Sequence, residues 1–226
     1  MIEPNAARIS RIRARIADLV AAGGATAALD GKWHDVFPTA IVPAEGDFLH
    51  ELVVRERPAA VLEIGLGYGF AALNALAALI ETRGEAFTWV TLDPNQDWRF
   101  SRLGAEHLAM IDLPACIELI EQPSELALPR LLAERRRFDL AIVDGNHRFD
   151  AVFLDLFYCE QLVVPGGVIF LDDYQLPGIA KAIAFWVANL GWTLESVSAP
   201  DDLHQWAVLR TSSPRRSRRF DEFMDF

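Results

Sequence analysis

The chain has 226 residues, 52% of them hydrophobic and 23% charged, with a formal net charge of -11 and a pI near 4.9. That length suits one α/β domain with a full core. The negative charge argues against nucleic acid as the default partner. No apolar run is long enough to span a bilayer, so a soluble protein is expected.

A single domain over 1–226 is expected, with an N-terminal helix and a roof-like loop in 1–42, the core in 43–210 and a charged tail in 211–226. Near the start, Ile9, Ile12, Ile16 and Leu19 keep helical spacing, and Glu3 and Asp18 interrupt the basic run of Arg8, Arg11, Arg13 and Arg15. A packed amphipathic helix fits this better than a transit peptide. Gly23-Gly24 ends it, and Trp33 to Pro38 follow in a looser stretch. Those aromatics are candidates for a substrate roof or for anchoring the loop. Pro43 to Arg57 reads as a helix with Phe48, Leu49, Leu52 and Val53 on its apolar side.

Val61 to Ile64 is an apolar strand interrupted by Glu63, and it runs into Gly65-Leu66-Gly67-Tyr68-Gly69 and then a helix from Phe70 to Thr82. A strand, a glycine turn and a helix N-terminus together offer close backbone approach and a dipole suited to a nucleotide-like ligand. A dinucleotide fingerprint would need glycine at the position of Phe70. Glu63 also departs from the apolar strand of nicotinamide sites, and its bland role is a carboxylate bonded to nearby amides.

Strands and helices then alternate: Thr88 to Leu92, helix Trp98 to Met110, Cys116 to Ile120, helix Ser124 to Arg136, Leu140 to Val143, helix Phe149 to Leu162, Val168 to Leu171, and helix Ile179 to Leu190. This pattern predicts a doubly wound, mostly parallel sheet with helices on both faces. Thr193 to Val197 and Gln205 to Leu209 have no helix between them and either pair as a hairpin-like antiparallel edge or are split by a long loop. The basic cluster Arg215, Arg216, Arg218 and Arg219, followed by Asp221, Glu222 and Asp225, reads as a solvated tail. Cys116 and Cys159 lack metal-ligand spacing and read as buried thiols of a reducing compartment, hence cytoplasmic.

The strands end in Glu63, Asp93, Glu121, Asp144, and Asp172 with Asp173. In doubly wound sheets ligands bind at these ends. Carboxylates crowded there raise one another's pKa unless something cationic joins them. Asp93 is placed for a ribose diol. Asp144, Asp172 and Asp173 suit a divalent cation such as Mg2+, or Asp144 and Asp172 merely cap the following helices or loops. His147 can act as a base near neutral pH or cap the next helix, and His34 is a weaker rival.

Leu62 to Gly69, Phe138 to His147 and Val164 to Tyr174, taken in this order, resemble class I S-adenosylmethionine-dependent methyltransferases. The nearest branch is the metal-dependent small-molecule O-methyltransferases of catechol, caffeoyl-CoA and macrocin type. The resemblance runs roughly from Pro43 to Arg210. It implies a Rossmann-like seven-stranded sheet with an antiparallel last strand. It also implies that Glu63, Gly65, Gly67 and Gly69 hold the methionine part of S-adenosylmethionine, Asp93 the ribose, and that Ser124 lies near adenine. Asp144, Asp172 and Asp173 match its metal positions, with Asp173 standing where the catechol and caffeoyl types carry Asn. His147 matches the basic residue three after the metal acid.

The function so implied is methyl transfer to a hydroxyl of a phenol, catechol or sugar, the acceptor held on a divalent metal, with no nucleic-acid or membrane partner and a homodimer left open. An NAD(P)-dependent oxidoreductase and a non-catalytic cofactor-binding relative are the competing readings.

Overall fold

Glycine and proline set most of the helix limits. Helix α1 (Asn5–Ala22) stops at Gly23, a left-handed residue whose amide bonds Leu19 O. Helices α2 (Pro43–Glu56) and α7 (Pro177–Leu190) start on proline, whose fixed φ suits a first turn. Helix α3 (Phe70–Arg83) runs from Gly69 to Gly84. The remaining helices are α4 (Leu103–Ile111), α5 (Ser124–Ala133) and α6 (Phe149–Leu162). The computed structural model describes residues 4–199, 204–216, 219 and 221–226. Glu3 and Arg218 lie outside the described residues.

The strands are β1 (Gly24–Thr26), β2 (Trp33–Asp35), β3 (Ala60–Ile64), β4 (Thr88–Leu92), β5 (Ile117–Ile120), β6 (Phe138–Val143), β7 (Val163–Leu171), β8 (Thr193–Val197) and β9 (Ala207–Arg210). Strands β1 and β2 pair as a small antiparallel ribbon, and the other seven form one sheet in the order β5-β4-β3-β6-β7-β9-β8. Strand β6 runs parallel to β3 and β7, and β5 parallel to β4; β9 is antiparallel to both β7 and β8. This is the mostly parallel, Rossmann-like sheet with an antiparallel last strand that the alternation predicts.

The chain divides into two compact units, Met1–Ala59 with Leu66–Gln122, and Ala60–Gly65 with Pro123–Phe226. In the first, α3 packs on α1 and α2, and Phe70 to Ile80 are all buried. A helix that is apolar all round needs such cover on every side. In the second, β3, β6 and β7 place Val61, Leu62, Leu140, Ile142, Ile169 and Phe170 in the core. Among the described residues no helix is long and apolar enough to cross a membrane.

Three local expectations differ from the structure. The loose stretch after Gly24 contains the β1–β2 ribbon, with Gly24 opposite Asp35. The helix expected from Trp98 starts only at Leu103, because Ser101 and Arg102 take positive φ of 46° and 59°. The chain end is not simply solvated. Asn189, fully buried, donates to Met224 O and accepts from the Met224 amide, both at 2.9 Å, and the Phe226 ring packs 5.1 Å from Phe185.

Gly65 has φ 95°, and a Cβ there would lie 2.1 Å from Asp144 O. Gly67 has φ 54° with open space around its Cα. Gly65→Ala should therefore lose at least about 1–3 kcal/mol from backbone strain alone, with the clash added. Gly67→Ala should lose only the left-handed penalty of about 1–2 kcal/mol. Urea unfolding of both variants measures the difference, and equal losses would contradict it.

Candidate active site

The glycine turn between β3 and α3 is held peptide by peptide. Asp93, just past β4 and 2% exposed, accepts the Gly67 amide at 2.7 Å, the Asn95 amide at 2.7 Å and Gln96 Nε2 at 2.9 Å. Gln96, fully buried, also donates to Gly67 O at 2.8 Å and accepts the Ala105 amide at 3.1 Å. The Gly69 amide donates to Leu66 O at 2.7 Å.

The amides of Gly67 and Gly69 are therefore spent within the protein, and the glycines serve close approach more than ligand donation. A Cβ on Gly104, the second residue of α4, would lie 2.4 Å from Gly67 O, so α4 rests directly against the turn. Gln96 carries no family motif in the sequence reading. Its signal is a polar residue three after the strand-end acid, in a stretch whose local pattern points instead to the start of a helix.

Glu63 sits on β3 opposite Ile142 of β6 and is fully buried. Next along the same sheet edge, β6 and β7 pair at Val143 and Leu171, which puts Asp144 and Asp172 on neighbouring strand ends. The Asp172 amide donates to Val143 O at 3.2 Å, and Asp172 Oδ1 accepts the Asp173 amide at 2.6 Å. Asp173 takes a left-handed φ of 58°.

His147 lies between two of these acids. Its Nδ1 pairs with Asp173 Oδ2, and its Nε2 lies 3.4 Å from Asp144 Oδ1. Asp173 Oδ1 also accepts from Gln175 Nε2 at 2.6 Å and lies 3.6 Å from His204 Nδ1. Hydrogen bonds to Asp144 and then Asp173 raise the His147 pKa to about 10. Burial pushes Asp144 up, against the lowering pull of His147. Burial also works on Asp173, but the hydrogen bond and charge of His147 outweigh it and hold that carboxyl low.

The cation that the crowded carboxylates require is thus the imidazolium of His147. Among the described residues no group of three or more His, Cys, Asp or Glu is arranged to hold a metal ion. Asp144 and Asp173 are turned onto His147, and Asp172 onto the Asp173 amide. Three carboxylates on neighbouring strand ends are a donor set of the kind Mg2+ takes, and a bound cation would have to displace His147 from Asp144 and Asp173.

The other expected residues lie elsewhere. Ser124, at the start of α5, hydrogen-bonds Asp155 of α6, whose burial raises its pKa to about 7. Glu121 takes a two-pronged ion pair from Arg102 at 2.9 and 3.1 Å and is not part of the acid group. His34 pairs with Asp30 at 3.0 Å, and Asp30 also accepts the Ser101 hydroxyl at 3.0 Å. His204 was not foreseen, because its neighbourhood depends on the β9 hairpin returning beside β7.

A family profile described as a methyltransferase domain matches residues 62–174, half of the 226-residue chain. The comparison with curated proteins gives no match. Among solved structures, an O-methyltransferase from Bacillus cereus in complex with SAH aligns with a TM-score of 0.67 at 15% identity, covering 94% of this chain and 93% of that one. TomG from Streptomyces achromogenes, an O-methyltransferase involved in tomaymycin synthesis and in complex with SAM, aligns at 0.63 with 16% identity over 94% and 91%. The SAH-bound Podospora anserina methyltransferase PaMTH1 aligns at 0.62 with 17% identity over 94% and 89%. At such identities the likeness carries the fold.

Gln96→Ala would leave Gly67 O and the Ala105 amide, both part-buried, without their side-chain partner. The expected loss is about 2–3 kcal/mol, toward the upper end for buried polar groups left unmet. Thermal unfolding checks it, and a change below about 0.5 kcal/mol would show that water replaces the side chain without cost.

Proposed function

The chain belongs to the methyltransferase-domain family, and on that footing we propose that it transfers a methyl group from S-adenosylmethionine to a hydroxyl oxygen of a small molecule. The observation that carries the reading is His147 set among the strand-end acids Asp144 and Asp173, at the sheet edge where doubly wound folds bind ligands. The competing nicotinamide oxidoreductase reading, already disfavoured by Phe70 and Glu63, finds no support in the methyltransferase-domain match. In this reading Glu63 and the turn Gly65, Gly67 and Gly69 receive the methionine part of the cofactor, and Ser124 the adenine. Asp93 already receives three hydrogen bonds, which leaves a carboxylate with room for about one ribose hydroxyl rather than two.

The acceptor oxygen attacks the sulfonium methyl carbon in line, the carbon–sulfur bond breaks as the carbon–oxygen bond forms, and the hydroxyl proton passes to the Asp144–His147–Asp173 group. The substrate class is a phenol, catechol or sugar hydroxyl. A bound divalent cation would supply Lewis-acid polarisation of the acceptor. It would need His147 turned away from Asp144 and Asp173. Two free thiols, Cys116 and the buried Cys159, support a cytoplasmic setting.

Calorimetry with S-adenosylmethionine and S-adenosylhomocysteine tests the cofactor, and no heat with either would end the proposal. With an active acceptor, His147→Ala should lower turnover about 10²–10⁴-fold and leave cofactor affinity nearly unchanged. The pH profile follows from the same geometry. A base must be unprotonated, and its two carboxylates hold the His147 proton up to about pH 10. The rate should therefore climb with pH on the alkaline side, rather than level off near neutrality as an unperturbed imidazole would, and the limb should vanish in the variant. Loss of turnover in EDTA, with a limb restored near neutrality by Mg2+, would instead return Asp144, Asp172 and Asp173 to metal binding.

A further inference from the structure

We infer that His107 is a positioning residue for the cofactor turn and that Arg15 sets its tautomer, which makes helix α1 a working part of the cofactor site. The inference rests on the proposed reading of the glycine turn as that site. His107, on α4, is 2% exposed, and both of its ring nitrogens are engaged. Arg15 Nε lies 2.8 Å from His107 Nε2. A guanidinium has no acceptor, so Nε2 must supply the lone pair and the ring proton must sit on Nδ1. That proton points at Tyr68 O, 2.7 Å away. Burial, with the Arg15 charge adding to it, lowers the His107 pKa to about 4, so this neutral tautomer persists at any ordinary pH.

The contact falls at a particular place. The Tyr68 carbonyl and the Gly69 amide belong to one peptide group, and that amide donates to Leu66 O at 2.7 Å. His107 therefore pins the second end of a plane already held at the first. Gly69 is left-handed with φ 79° and caps α3, so the tilt of this plane sets how the first turn of α3 faces a ligand. A Cβ on Gly69 would meet Gly104 Cα at 3.2 Å and His107 Cβ at 3.5 Å, which leaves the plane little freedom to relax. Arg15 lies before the family-matched stretch 62–174, where the family pattern makes no demand on it.

The test measures S-adenosylhomocysteine affinity and melting temperature for the full chain and for His107→Ala, His107→Asn, Arg15→Met and the His107→Asn/Arg15→Met pair. Loss of the hydrogen bond to the turn should weaken binding about threefold to tenfold in His107→Ala, the range set by the net worth of one such bond, and Arg15→Met, which keeps that bond but frees Nε2 and loosens the ring, should weaken it in the same direction by less. KM for S-adenosylmethionine should rise by the same factor, more than turnover at saturation falls. The Asn amide can donate to Tyr68 O from near the Nδ1 position without needing a tautomer, so His107→Asn should bind within about twofold of the parent, and adding Arg15→Met to it should change nothing further. Lower melting temperatures with unchanged affinity in His107→Ala and Arg15→Met would overturn the inference and leave the cofactor reading standing. If His107→Ala does not fold, unchanged affinity in Arg15→Met overturns it alone. Absence of binding by the parent chain would instead overturn the cofactor reading, and this inference with it.

Discussion

The Gly67 peptide is the joint on which the turn depends. Its amide goes to Asp93 and its carbonyl to Gln96, so the chain leaving β3 can reach the start of α3 along only one path. Gln96 then reaches Ala105, and α4 can lie close enough for Gly104 to need no side chain. A buried carboxylate with three donors loses little by leaving water, because its charge is spread over hydrogen bonds that water would otherwise supply. The same bonds turn a flexible glycine run into a fixed surface, and fixed polar surfaces bind with less ordering cost than mobile ones.

Electrostatics organises the other unit. Parallel strands deliver their ends to one edge, and β6 and β7 end in acids one after the other. Bringing such acids together without a counter-charge raises their pKa and leaves them partly protonated. His147, three residues past Asp144, answers that demand by lying across Asp144 and Asp173. The two shifts have different causes: hydrogen bonds to Asp144 and Asp173 raise His147, whereas burial raises Asp144 against the pull of His147. Substrate binding and proton movement at this edge must work against that pairing.

The sheet was legible because periodicity and glycine punctuation agree from Val61 to Leu190, and because two strand-like runs without a helix between them can pair only in opposite directions. The strand-end acids were legible for the same topological reason. What each acid bonds was not. Asp93 was read as a ligand group, yet three protein donors already use it, and one of them, Gln96, hides in a stretch that propensity assigns to the approach of a helix. Helix α4 starts late because the Asp93 carboxylate takes the Asn95 amide and Ser101 and Arg102 turn left-handed, a tertiary effect that no window of sequence contains. The charged residues of the chain end, Arg216, Arg219, Asp221, Glu222 and Asp225, are exposed as expected, and one contact there escaped the sequence for a related reason. The charge pattern is that of a solvated tail, while the bracket that holds the chain end is a single buried asparagine on α7, Asn189, remote in sequence.

The residues that distinguish one acceptor from another need not lie in the matched stretch. Family sequence is concentrated where the backbone must do one thing: the turn after β3, the ends of β6 and β7. The stretch before α2 carries a different kind of chemistry. Trp33 is 52% exposed with its indole N–H bonded to Asp35 at 2.9 Å, and Asp30 ties His34 to Ser101, joining the β1–β2 ribbon to the loop that carries Trp98, 74% exposed. Large aromatic faces left in solvent are held there at a cost, since burying them would stabilise the chain by about 1.5–3 kcal/mol each. The polar ties that fix the backbone beneath these rings are set by loop residues whose contacts only the folded chain brings together, so no window of sequence announces them.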